Sequence, residues 1–131
     1  MKEPTIKVPC EHCGKESTFG WTEVLADVLR AAACACHGMA ADKGFWDEDR
    51  NFGELMALFH SEISEALEGQ RHGNPDSEKL GAEFTQVEEE IADLVIRVLD
   101  ATKGLGWRLG DAVVAKFQYN AGRARKHGKE F

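Results

Sequence analysis

Glu62-Ile63-Ser64-Glu65 and Glu90-Ile91-Ala92-Asp93 are two pairs of acids, each at i, i+3, on two stretches that both read as helices. An α-helix turns about 100° per residue, so residues three apart face the same neighbour and each pair acts as a unit. Over 52–70 the residues Leu55, Leu58, Phe59, Ile63 and Ala66 mark an apolar stripe, and Glu62 falls inside it. A buried carboxylate is costly unless a cation accompanies it, so something positive is expected beside Glu62. Over 84–103 the apolar arc runs through Val87, Ile91, Leu94, Val95 and Val98, with Glu90 and Asp93 at one margin. Packed antiparallel, the two helices would bring Glu62, Glu65, Glu90 and Asp93 together. Oxygen-rich sites of this kind suit Mg²⁺, with Mn²⁺ as a substitute, hard cations that commonly also hold substrate phosphates. Any of these acids, or the adjacent Glu89, could position a water.

The elements that must position these acids follow from periodicity and caps. Residues 1–20, with Pro4, Pro9, Gly14 and Gly20, read as an irregular arm or a short hairpin. From Trp21 to about Met39, Trp21, Val24, Leu25, Val28, Leu29, Ala32, Ala35 and Cys36 keep the period of an amphipathic helix. Gly44-Phe45-Trp46 interrupts with a loop. Asn51 with Glu54, and Thr85 with Glu88, have the spacing of capping boxes for the two acidic helices. The segment 72–77 is a turn by composition, and a fourth helix spans about 110–125 with Ala112, Val113, Phe117 and Ala121 toward the core. No strand is singled out. The expectation is an all-α, four-helix bundle over 21–131 behind the arm, of one-domain size.

Composition narrows the function classes. Sixteen basic against 23 acidic residues leave a net charge of −7, which disfavours nucleic acid and anionic membrane as partners. Neither a signal-peptide pattern nor an apolar run near 18 residues is read, so a cytoplasmic protein is expected. Four cysteines without an export signal argue for thiols or metal ligands over disulfides. Cys10 and Cys13 have zinc-knuckle spacing. On a helix Cys34 and Cys36 point about 200° apart, whereas Cys34 and His37 share a face, so Cys10, Cys13, Cys34 and His37 form a candidate Zn²⁺ set. Cys36 is read as a small core residue.

With its E-x-x-E, a spacer and E-x-x-D, the chain resembles the MazG-like all-α nucleoside triphosphate pyrophosphohydrolases. The likeness runs from about Cys36 to the C-terminus and takes in GFWDE at 44–48, SEISEALEG at 61–69 and KFQYNAGRARKHGKEF at 116–131. It implies that Glu62, Glu65, Glu90 and Asp93 bind Mg²⁺, and that (deoxy)nucleoside triphosphates are cleaved to the monophosphate and pyrophosphate. Lys116, Asn120 and Arg123 share one helical side and match the family's K-x-x-x-N-x-x-R phrase. With Tyr119, Lys126 and Lys129 they are expected to face the phosphates, some of them across a homo-dimer or homo-tetramer interface. His37 and Trp46 correspond to the His and Trp of the family's deoxycytidine triphosphatases, which implies base reading and competes with zinc for His37. Rival expectations are phosphoribosyl-ATP pyrophosphohydrolase and a non-enzymatic, zinc-stabilised helical interaction module.

Overall fold

The computed structural model describes residues 5–9 and 13–124. The protein is mostly helical: α1 spans Trp21–Asp42, α2 Phe52–Arg71, α3 Gln86–Gly104 and α4 Leu109–Ala121. Two small antiparallel hairpins accompany them, β1 (Thr5–Pro9) with β2 (Glu16–Gly20), and β3 (Asp76–Ser77) with β4 (Gly81–Thr85). The first hairpin is one of the two forms expected of the arm. The second corrects the absence of strands. Here the chain turns through Gly73 and Asn74, both with positive φ, and then doubles back before the third helix, which starts at Gln86 and not at residue 84. Asn74 Oδ1 and Pro75 O accept hydrogen bonds from Val87 N at 3.0 Å and Gln86 N at 2.8 Å, which fixes the start of α3.

Both N-caps form, but only the second closes into the capping box that the spacing predicts for each. Asn51 Oδ1 accepts from Glu54 N at 3.1 Å. Thr85 and Glu88 close a full capping box, with Glu88 Oε2 taking the Thr85 N–H at 2.7 Å and Thr85 Oγ1 the Glu88 N–H at 3.3 Å.

The chain divides into two compact units, Met1–Ala31 with Arg108–Phe131, and Ala32–Trp107, the division falling within α1. In the first unit Gly110 lies so close to α1 that a Cβ on it would meet Ala26 O at 2.8 Å, and Trp21 meets Phe117 edge-on with ring centroids 4.3 Å apart. In the second unit α2 packs on α3. A Cβ on Gly69 would meet Gln86, while Glu62, further back along α2, bonds Arg97, further on along α3, so the two helices run antiparallel.

What lies between them differs from the apolar stripes drawn on the sequence. The buried positions of α2 are Leu55, Glu62, Ala66 and Gly69, and those of α3 include Glu89, Glu90, Leu99 and Asp100. Ile63, Ile91 and Val95, expected in the core, are 43–50% exposed. On α1 the most buried apolar residues are Ala26 and Ala33, while Val28 is exposed. A helical wheel marks the apolar arc; it does not tell which arc a partner helix covers. Helix α1 also corrects the expectation of no long apolar run. An 18-residue window of it averages 1.3 in hydropathy, enough in length and composition to cross a membrane, because the run of Ala and Cys over 31–36 adds up.

Trp46 leads from the fold to the site, since a Cβ on Gly104 would meet its ring at 2.2 Å. Gly104→Ala is therefore expected to destabilise the protein by about 1–3 kcal/mol, the usual cost of overpacking. Chemical denaturation followed by tryptophan fluorescence checks this, and unchanged stability would mean that Trp46 does not rest on Gly104.

Candidate functional site

Helices α2 and α3 bring the four predicted acids together around Glu90. Glu62, Glu65 and Glu90 each place one carboxylate oxygen within 4.8 Å of the other two, and Glu89, Glu90 and Asp93 form a second group of the same kind. Glu62 and Glu90 are each only 4% exposed, whereas Glu65 stands on the open rim. Glu90 Oε2 is buried without a hydrogen-bond partner among the described residues. Burial pushes the Glu90 carboxyl above the ordinary carboxylate range, and the nearby charges of Glu65, Glu89 and Glu62 add to this against the opposing effect of Lys79.

Two cations not singled out by the sequence reading offset part of this charge. Arg97 Nε donates to Glu62 Oε1 at 2.6 Å, which supplies the positive partner that a carboxylate on an apolar stripe requires. Lys79, on the turn between β3 and β4, reaches Glu89 Oε1 at 2.6 Å and Asp93 Oδ2 at 3.7 Å. Ser77 Oγ donates to Glu89 Oε2 at 2.5 Å and accepts from Leu80 N at 2.8 Å, tying that turn to α3. The hydrogen bonds from Lys79 and Ser77 hold the Glu89 carboxyl below its ordinary range. Glu89 is thus committed to two donors and is a poor acceptor for a proton taken from water. A signal for Arg97 was present: Glu90, Asp93, Arg97 and Asp100 follow one another at three- and four-residue steps, a polar stripe with helical period. Lys79 carried no such signal, because a turn has no period.

Three glutamates, Glu65 and Asp93 outnumber the two cations. An all-oxygen donor set with an orphaned, buried carboxylate oxygen at its centre fits a hard divalent cation.

Beside the acids lies a cavity of about 250 Å³. Met39, Leu58 and Phe59 line its apolar side, and Asp93, Arg97 and Asp100 its polar side. It is a little smaller than the roughly 300–1,000 Å³ of most ligand pockets. Asp100 is 9% exposed, and its Oδ1 accepts from His37 Nδ1 at 2.9 Å and from Trp46 Nε1 at 2.7 Å. The expected base readers thus stand behind Asp100, which lines the cavity as they do not. Their rings meet edge-on with centroids 4.9 Å apart, and the Arg50 guanidinium lies over the Trp46 ring at 5.6 Å. His37 itself is half-buried, held to Asp100 of α3. Cys36 also lines the cavity, and burial, followed by the charge of Asp100, pushes its thiol up, in keeping with an inert packing residue.

The remaining predicted residues belong to the other unit or lie outside the description. Lys116, Tyr119, Asn120 and Arg123 are exposed on and just beyond α4, with Lys116 Nζ at 4.7 Å and the Arg123 guanidinium at 5.8 Å from the centroid of the Tyr119 ring. Lys126 and Lys129 lie outside the described residues, as does Cys10 of the candidate zinc set. Cys13 and Cys34 are exposed thiols, the first in the unit with α4 and the second in the unit with His37.

Compared with protein-family models, with curated proteins and with solved structures, the chain finds no match.

The raised pKa of Glu90 has a defined effect on stability. Below the unfolded carboxylate range both states are neutral and burial of the carboxyl carries no penalty. As pH rises, the unfolded state ionises first, so the folded state loses stability up to the raised pKa and stays reduced above it. Glu90→Gln is therefore expected to raise the melting temperature of chelator-treated protein by a few degrees at pH 7 and to leave it unchanged near pH 4. Thermal melts across that range check it, and a pH-independent effect would count against burial as the cause.

Proposed function

We propose that the protein is a Mg²⁺-dependent pyrophosphohydrolase of (deoxy)nucleoside triphosphates that releases the monophosphate and pyrophosphate. The observation that carries this reading is the unpartnered, buried Glu90 Oε2 at the meeting point of two carboxylate groups. Such an atom calls for a positive partner, and among the described residues none bonds to it. Mg²⁺ or Mn²⁺ held by Glu62, Glu65, Glu90 and Asp93 supplies charge to offset that on phosphate oxygens and makes water more acidic.

The chain's own residues do the rest in this reading. Ser77 and Lys79 orient Glu89, and through it the N-terminal turn of α3. Lys79, with its side chain two-thirds exposed, stands where a phosphate oxygen can meet it. The neighbouring cavity takes the base, against Phe59 and Leu58, with Asp100 held as a fixed acceptor by His37 and Trp46. The likeness of the acidic motifs and of the K-x-x-x-N-x-x-R phrase to the MazG-like enzymes supports the same chemistry.

A homo-dimer or homo-tetramer belongs to this proposal. Ile63 and Leu67 on α2 and Ile91 and Val95 on α3 are large apolar side chains, each at i, i+4, left 43–52% exposed. Exposed apolar surface of this kind is a common mark of association. Light scattering is expected to give a mass of at least two chains, and Leu67→Glu with Val95→Glu to lower it. A monomeric parent protein would remove the assembly from the proposal.

The activity is tested by pyrophosphate release from a panel of (deoxy)nucleoside triphosphates and phosphoribosyl-ATP, with Mg²⁺ and with chelator. Release from the triphosphates with Mg²⁺ is expected, and Glu62→Gln should lower it by about 10²–10³-fold with the fold retained, the scale of losing one preorganised electrostatic partner. Turnover of phosphoribosyl-ATP alone would reassign the substrate, and full activity of Glu62→Gln would remove the metal site.

A further inference from the structure

We propose that Arg97 is an internal stand-in for the divalent cation: it holds Glu62 in the metal-free protein and is displaced from it when the cation binds. The inference rests on the metal reading above and adds to it a competition between a side chain and an ion for one carboxylate.

Glu62 is one of the three acids whose oxygens converge within 4.8 Å, and it is also the sole hydrogen-bond and ion-pair partner of Arg97 among the described residues. A guanidinium and a divalent cation drawn to the same carboxylate repel each other at so short a range, so each weakens the hold of the other. The Arg97 bond is built to give way. It runs through Nε alone, not through the two-pronged fork that makes arginine pairs rigid, and the Arg97 side chain is 42% exposed while that of Glu62 is 5% exposed.

The exchange also improves the charge balance. Arg97 neutralises Glu62 but leaves Glu90 Oε2 buried and unpartnered, whereas a cation between the helices serves both. The released guanidinium has somewhere to go, since Arg97 already lines the cavity beside Asp93 and Asp100. There its free fork is available to an incoming phosphate. By linkage, the factor by which Arg97 weakens cation binding equals the factor by which the cation weakens the Arg97–Glu62 pair.

The test is a titration of Mn²⁺ into the full chain and into Arg97→Gln, reading free Mn²⁺ by electron paramagnetic resonance. Arg97→Gln is expected to bind Mn²⁺ about fivefold tighter or more, within the usual range of such couplings. In the parent protein the Nε–Hε resonance of Arg97, assigned through its side-chain correlations, is expected to leave its hydrogen-bonded position when Mg²⁺ is added to saturation. That second reading decides alone should Arg97→Gln not fold. Equal or weaker Mn²⁺ binding by Arg97→Gln, or an Hε resonance unmoved by saturating Mg²⁺, overturns the exchange and leaves the metal site standing. Absence of Mn²⁺ binding by the parent protein at millimolar concentration overturns both.

Discussion

Three glutamates, Glu62, Glu89 and Glu90, are buried where two helices meet, and the second unit is arranged around that fact. Buried carboxylates are tolerated only in the company of positive charge or hydrogen-bond donors. Each of the neighbouring elements supplies one. The long side chain of Arg97 turns back across to α2, and the β3–β4 turn exists in a form that presents Ser77 and Lys79 to α3. Glu90 Oε2 is buried with no hydrogen-bond partner among the described residues, and Glu90 belongs to both carboxylate groups.

The apolar contribution to this packing is small. No large side chain is fully buried among the described residues, and the buried apolar positions are mostly alanine and leucine. Gly69 packs so closely on α3 that a Cβ there would meet the Gln86 side chain at 3.1 Å, and Ala66, one turn earlier, is buried. The same economy explains Trp46, which rests on Gly104 and reaches Asp100 because nothing larger than hydrogen occupies that position.

Much of this was legible in the chain. The acid spacing located the carboxylate cluster, Glu62 announced its own burial, and Thr85 with Glu88 marked the start of α3 within a residue or two. What was not legible has a common cause. Periodicity describes one helix at a time, so it placed Ile63, Ile91 and Val95 inside, when contact between helices covers the acidic arc, and it gave no sign that His37 bonds Asp100. Lys79 lies on a turn whose conformation depends on Gly81, with φ +89°, and on the Ser77 hydroxyl, neither of which leaves a pattern over several residues. Arg97 was within reach, since it continues the stripe of Glu90 and Asp93, but a lone arginine on a charged helix draws no notice until its partner is known.

Every acid of the group, both cations, the cavity and the Asp100 brace come from one uninterrupted stretch, Ala32–Trp107. One continuous segment of the chain carries the entire charge arrangement, so an insertion or deletion in the flanking sequence leaves the spacing of all these residues unchanged.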